Sequence, residues 1–151
     1  MKMEKLVIRV LGAVLAGGLI AGPALLAWAQ ADVLKARNDN RKATMVEYRI
    51  VKKTLDEKGN PADTTAAATK LLELQKTYMT LFPAGSDKGE TKALPVIWTD
   101  WAGFLEANKV TEDAMTKLIA ASKGTDLAAL GEAFREMNAG CTGCHKKCHT
   151  P

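Results

Sequence analysis

Apolar residues recur along most of the chain in alternating steps of three and four positions, which is the spacing of one face of an α-helix. Turn-forming residues divide this pattern into four segments, near residues 32–57, 61–81, 99–122 and 125–148. No stretch of the sequence shows the two-residue alternation that is typical of a half-buried β-strand. The pattern therefore predicts an all-α protein, folded as an antiparallel up-down-up-down four-helix bundle.

Each segment has an apolar seam that should face the core of the bundle. The first seam contains two arginines among its members, which are Leu34, Arg37, Arg41, Thr44, Tyr48, Val51 and Leu55. In the third segment we expect Trp98 at the entrance and an inward face made of Trp101, Leu105, Met115, Leu118 and Ile119. The last segment begins at the capping pair Thr125-Asp126. Its seam is the most regular, with Leu127, Leu130, Phe134, Met137, Cys141, Cys144 and Cys148.

The first 29 residues have the layout of a secretory signal peptide. A charged start at residues 2–9 precedes an apolar run, and Ala27-Trp28-Ala29 supplies the small residues that signal peptidase requires. We expect cleavage after Ala29, or after Ala31, so that residues 30–151 form the exported domain. The alternative is an uncleaved membrane anchor, because the uncharged run is about 20 residues long and can just span a bilayer.

Composition narrows the class of protein only slightly. Hydrophobic residues make up 47% of the chain and charged residues 25%, as in an ordinary globular domain. Part of the formal net charge of +4 belongs to the leader, through Lys2, Lys5 and Arg9. The charge therefore gives little support to nucleic-acid binding. The sequence shows no arrangement of nucleophile and base and has only two histidines, so we do not expect an enzyme.

The most distinctive chemistry lies near the C-terminus. Cys141-Thr142-Gly143-Cys144-His145 is C-x-x-C-H, the attachment motif of c-type haem. In a helix the two thiols lie on one face, one turn apart, where they can reach the two vinyl groups of one porphyrin. The following residue then places an imidazole over the iron. The sequence predicts one covalently attached haem c, bound through Cys141 and Cys144, with His145 as the axial iron ligand.

Two other uses of these residues stay open. A thioredoxin-like redox motif requires a strand that leads into a helix, and this motif is preceded by a helical pattern. A metal site would use a larger set of ligands, namely Cys141, Cys144, His145, Cys148 and His149. Zinc-binding cysteine pairs usually lie on turns, so a Cys/His metal-binding export domain is the alternative from another class.

The motif, together with Arg37, Phe82-Pro83-Ala84-Gly85-Ser86 and Pro95-Val96-Ile97-Trp98, resembles cytochrome c′, the class II c-type cytochromes. The resemblance covers essentially all of the predicted mature chain. It implies a left-handed four-helix bundle, usually a homodimer, in the periplasm of a bacterium. It also implies a high-spin haem with a histidine on one side and an often vacant site on the other, and a role in electron transfer or in binding NO or CO.

The chain departs from the family pattern on both sides of the haem. Four residues after the axial histidine the family usually has Arg or Lys, whereas this chain has His149, and Cys148 is additional. On the distal side the family places an apolar residue one turn after the first-helix arginine. If Arg37 is that arginine, Arg41 covers the open side of the iron. If Arg41 is that arginine, Met45 does.

We prefer the register that starts at Arg37, because it keeps the apolar seam intact. This register predicts a five-coordinate iron, with Arg37 or Arg41 donating hydrogen bonds to a bound ligand or to a haem propionate. The other register makes Met45 a ligand, and a Met/His pair would make the protein a six-coordinate electron carrier with a raised reduction potential.

Overall fold

The structure is a computed structural model that describes residues 23–150, with only the backbone of residues 23–29. Most of the predicted signal peptide lies outside the described residues, so the leader and its cleavage site stay predictions. Among residues 23–150, no helix is long and apolar enough to cross a membrane.

Four long helices form an antiparallel bundle, as the sequence predicted. In chain order the elements are α1 (Pro23–Asp56), a 3₁₀ turn (Pro61–Thr64), α2 (Thr65–Met79), the single turn α3 (Val96–Thr99), α4 (Trp101–Ser122) and α5 (Leu127–Cys148). Helix α1 packs along α2, α2 along α4 and α4 along α5, whereas α1 and α5 pack more sparsely. The described residues contain no strand, only an isolated antiparallel bridge between Ala93 and His149.

Capping residues explain where the helices begin. The Asp126 carboxylate accepts hydrogen bonds from the backbone N–H groups of Ala128 at 2.8 Å and Ala129 at 3.2 Å, and α5 therefore starts where the sequence predicted. Helix α1 is helical from Pro23, the first described residue, and so extends ahead of the predicted start near residue 32. The residues after Pro23 are rich in alanine and leucine, which favour helix.

The buried apolar residues form two separate clusters. The larger one, here called the main cluster, consists of Val51, Ala67, Ala68, Leu71, Ala114, Met115, Leu118, Leu130, Ala133, Phe134 and Met137. The smaller one, the end cluster, consists of Phe82, Ile97, Phe104 and Cys148. Between the clusters, Gln75 of α2 donates a hydrogen bond to Asn108 of α4 at 2.6 Å, and Asn108 donates to Glu112 at 2.5 Å. The core is therefore interrupted by polar side chains near the middle of α4.

The predicted inward face of α4 is wrong in its first two turns. Trp101 and Leu105 are 40% and 44% exposed, whereas Phe104 and Asn108 are buried. Asn108 can occupy an inward position because the side chains of Gln75 and Glu112 satisfy its amide. This polar residue on the buried face shifts the apparent apolar stripe. Further along α4, Met115 and Leu118 are buried as predicted.

A matched pair of substitutions on α4 tests this orientation. Leu118 has no exposed surface, whereas Val110 is 58% exposed. We expect Leu118→Ala to lower the free energy of unfolding by about 2–5 kcal/mol, because it leaves a cavity in the main cluster. We expect Val110→Ala to change it by less than about 0.5 kcal/mol. Urea denaturation followed by circular dichroism measures both values, and equal losses would contradict the described orientation.

Candidate haem-binding site

Cys141 and Cys144 lie on the apolar seam of α5, at the level where the core is divided. The predicted apolar seam of this helix is confirmed, since Leu130, Phe134 and Met137 are buried on the same face. Cys141 packs against the main cluster and Cys144 against the end cluster. Both are half-buried free thiols. A single flat group bonded to both sulfurs would therefore lie between the two clusters.

The thiols are poorly suited to thiolate chemistry. Burial raises the pKa of Cys141, and burial together with the neighbouring Cys148 thiol raises the pKa of Cys144 to about 11. A redox dithiol reacts through a thiolate at neutral pH, and the raised pKa values disfavour that form. In addition, residues 30–150 contain no group of three or more His, Cys, Asp or Glu side chains arranged to hold a metal ion. The geometry therefore does not favour the Cys/His metal-binding alternative.

The His145 side chain is exposed, and helical spacing puts it on the same flank of α5 as Gly131, about four turns earlier. A Cβ built on Gly131 would lie 3.7 Å from the side chain of Leu55 in α1. Tyr48 of α1 and Phe134 of α5 pack with ring centroids 4.9 Å apart. Partial burial and the neighbouring His149 lower the pKa of His145, which favours the neutral form of its imidazole. A neutral imidazole is the form that ligates iron.

Arg37, one of the predicted distal residues, is buried and holds the loop that follows α2. Its Nε donates to the carbonyl of Leu81 at 2.8 Å, and its Nη atoms donate to the carbonyl of Ser86 at 3.0 Å and to the Ser86 hydroxyl at 2.5 Å. The guanidinium also lies 4.2 Å from the ring centroid of Phe82 and 5.4 Å from that of Trp98. Arg37 therefore fixes the loop, and its contact with a haem propionate stays a prediction.

Arg41 and Met45, the other two distal candidates, lie on exposed positions of α1. The Arg41 guanidinium donates to the side chain of Asn38 at 3.2 Å. Met45 is 37% exposed. Neither side chain is held in place by the protein core in the way that Arg37 is.

Tyr78 of α2 lies near the site, although its helical spacing predicts only a core residue. Burial raises the pKa of its phenol, whereas the nearby charge of Arg37 lowers it, with smaller influences from Cys144 and Arg41. Its ring packs edge-on against Phe82 at 5.0 Å. Tyr78 therefore lies close enough to Arg37, Arg41 and Cys144 to be influenced by all three. The seam pattern contained no signal for this role, because core tyrosines follow the same spacing.

A family sequence model described as cytochrome C′ matches residues 32–148. The chain belongs to the cytochrome c′ family. Cytochrome c′ of Rubrivivax gelatinosus is 40% identical over 91 residues, which cover 58% of this chain and 70% of that protein. Cytochrome c′ of Rhodospirillum rubrum is 30% identical over 128 residues, covering 84% and 83%. Cytochrome c-554 of Cereibacter sphaeroides is 45% identical over 69 residues, covering 44% of this chain and 51% of that protein.

Solved structures of cytochrome c′ share this fold. The protein from Rubrivivax gelatinosus matches with a TM-score of 0.72 and 29% identity, over 80% of this chain and 97% of that one. A nitric oxide complex of a variant from Alcaligenes xylosoxidans matches with a TM-score of 0.73 and 25% identity, over 81% and 97%. These matches confirm the four-helix bundle. Because cytochromes c′ are c-type haem proteins, the family also confirms one covalently bound haem as the cofactor.

The residues of the motif fit a haem of this type. The two thiols lie on one seam between separate apolar clusters, and a planar apolar group is the kind of ligand that such a position accommodates. Helices α1 and α5 pack sparsely against each other beside this seam. Cys141 and Cys144 would hold the porphyrin through their sulfurs, and His145 would supply the imidazole for its iron.

Alanine substitutions of two arginines that lie one turn apart on α1 test the role of Arg37 in holding the loop. We expect Arg37→Ala to lower the free energy of unfolding by about 2–4 kcal/mol, because it removes three hydrogen bonds and leaves buried carbonyl groups without a donor. We expect Arg41→Ala, at an exposed position, to change it by less than about 0.5 kcal/mol. Guanidinium chloride denaturation measures both, and an unaffected Arg37→Ala protein would show that the loop does not depend on this side chain.

Proposed function

We propose that this protein is a periplasmic haem protein in which Cys141 and Cys144 hold the haem through thioether bonds and His145 is the axial iron ligand. One observation carries the proposal: the C-x-x-C-H motif places both thiols on the buried seam of α5, at the gap between the main and end clusters. The predicted signal peptide supports export. When bound, the haem supplies an iron centre that can change its oxidation state and bind a small ligand.

The residues of the chain would bind, orient and shield this group. Two thioether bonds keep the haem attached regardless of how strongly the iron is ligated. The main and end clusters exclude water from its faces, and a low local dielectric strengthens nearby electrostatic interactions. In this proposal α1 would cover the distal side of the haem, with Arg37 hydrogen-bonded to the loop and Arg41 at the helix surface.

We infer that the iron is five-coordinate and binds small gases such as NO and CO. The nitric oxide complexes solved for cytochrome c′ of Alcaligenes xylosoxidans support this assignment. In the preferred register Arg41 is the residue one turn after Arg37, and a protonated guanidinium cannot ligate iron. One-electron transfer to a redox partner is the second function that such a centre supports. We propose no enzymatic activity and no nucleic-acid partner.

Homodimerisation is proposed through the outer face of α1. Val46 and Ile50 lie one turn apart on this face and are 54% and 41% exposed. Apolar side chains that are grouped on a surface often mark a protein contact. A second copy of the chain is the partner that the family resemblance implies.

Covalent haem attachment can be tested with the three cysteines of α5. After export in a host that matures c-type cytochromes, we expect a pyridine haemochrome spectrum typical of thioether-linked haem. We expect Cys141→Ser combined with Cys144→Ser to abolish covalent attachment, because no sulfur remains on the seam at those positions. Denaturing gel electrophoresis with haem staining measures the covalent fraction.

Cys148→Ser provides the matched control for this experiment. Cys148 is also on the seam but is buried in the end cluster, outside the C-x-x-C-H motif. We expect this variant to retain covalent haem. A colourless parent protein, or loss of haem in Cys148→Ser alone, would contradict the proposed attachment site.

The distal ligand can be tested by changing Met45. We expect the parent protein to show a five-coordinate, high-spin spectrum in both oxidation states, and Met45→Ala to leave this spectrum unchanged. The reason is that Met45 lies on an exposed turn of α1, a turn beyond Arg41. Resonance Raman spectroscopy reports spin and coordination state. A six-coordinate, low-spin parent that becomes high-spin in Met45→Ala would establish the Met/His alternative.

A further inference from the structure

The backbone of His149, the first residue after α5, is fixed on both sides. Its own N–H donates to the carbonyl of His145 at 3.0 Å, and its extended conformation forms the isolated bridge with Ala93. The bridge is closed by two hydrogen bonds of 2.9 Å, from the N–H of Leu94 to Cys148 and from the N–H of Thr150 to Lys92. The loop before α3 therefore holds the end of α5 in place, immediately beyond the cysteine motif.

The rings of His145 and His149 are in direct contact. They lie one helical turn apart, with ring centroids separated by 5.4 Å and ring planes inclined by 34°. His149 is half-buried, and both rings line a surface depression that also includes Lys146 and Thr150. Among the residues that line this depression there is no carboxylate that could accept a hydrogen bond from the His145 ring. The contact that this depression offers to the His145 ring is therefore the ring of His149.

An axial imidazole needs a second contact to fix its orientation. Rotation about the bond between Cβ and Cγ changes how the imidazole plane lies over the porphyrin, and proteins usually restrict it through a neighbouring group. The His149 backbone is well placed for this purpose, because its own N–H is hydrogen-bonded and its neighbours Cys148 and Thr150 make the two hydrogen bonds of the bridge. The observed contact is between two tilted rings, so the restriction is one of packing.

We propose that His149 is a positioning residue that holds the plane of the axial His145 imidazole through direct ring contact. The inference rests on the proposed function, because it assigns the orientation of the ligand in that same haem site. It predicts that an aromatic ring at position 149 suffices, since the shape of the ring and not its nitrogen atoms makes the contact.

Three variants of the haem-loaded protein test this proposal. His149→Ala removes the ring, His149→Phe keeps an aromatic ring without nitrogen atoms, and Lys146→Ala changes another residue of the same depression. The measurement is the iron–histidine stretching band of the ferrous protein by resonance Raman spectroscopy. We expect the band to shift and broaden in His149→Ala, and to remain close to that of the parent in His149→Phe and in Lys146→Ala.

The outcomes separate this inference from the proposed function. A parent chain without covalent haem, or without an iron–histidine band, overturns the proposed function and this inference together. A haem-loaded His149→Ala protein with an unchanged band overturns only the positioning role. An altered band in His149→Phe equal to that in His149→Ala overturns the ring contact as its cause, and an equal change in Lys146→Ala assigns the effect to the depression as a whole.

Discussion

One stripe of α5 forms part of the core of the bundle and also carries the two cysteines that we propose attach the haem. Steps of three and four residues keep Leu130, Phe134 and Met137 buried, and the same steps place Cys141 and Cys144 one turn apart on the same face. The two requirements agree because the span between the porphyrin vinyl groups is compatible with one helical turn. Burying the stripe thus positions the sulfurs, and a shift of register that exposed them would also expose the core.

The loop between α2 and α3 is hydrogen-bonded to both α1 and α5, the two helices that carry the candidate site residues. Arg37 of α1 binds its first part through Leu81 and Ser86, and the end of α5 binds its last part through the bridge to Ala93. The Nε1 atom of Trp98 donates to the carbonyl of Pro83 at 3.0 Å, which also holds the first part of the loop. Among the described residues, the hydrogen bonds of Arg37 go to neutral oxygen atoms, and burial lowers its pKa. An anionic group beside this guanidinium would therefore be stabilised, which is the physical basis for expecting a haem propionate nearby.

The parts of the structure that could be predicted from sequence are those that depend on local spacing. The helical period of α5, its cap at Asp126 and the C-x-x-C-H motif each involve residues within one or two turns. Local spacing in the sequence was therefore sufficient to predict them. The inward face of early α4 could not be predicted, because the burial of Asn108 depends on Gln75 in another helix. The partners of Arg37 are 44 and 49 residues away, which is why its role in the loop was not visible from the seam alone.

The two sides of the candidate iron site differ in how firmly the chain holds them. On the proximal side, His145 belongs to a continuous helix and its ring packs against His149, whose backbone is bridged to the loop. On the distal side, Arg41 and Met45 are exposed, and the rigid residue, Arg37, is engaged with the loop. A rigid ligand on one face favours a permanent iron–histidine bond. In the proposed site, a face without a rigid protein ligand would leave the iron an exchangeable position, and since a protonated arginine cannot fill it, a small neutral molecule such as NO or CO would suit that position.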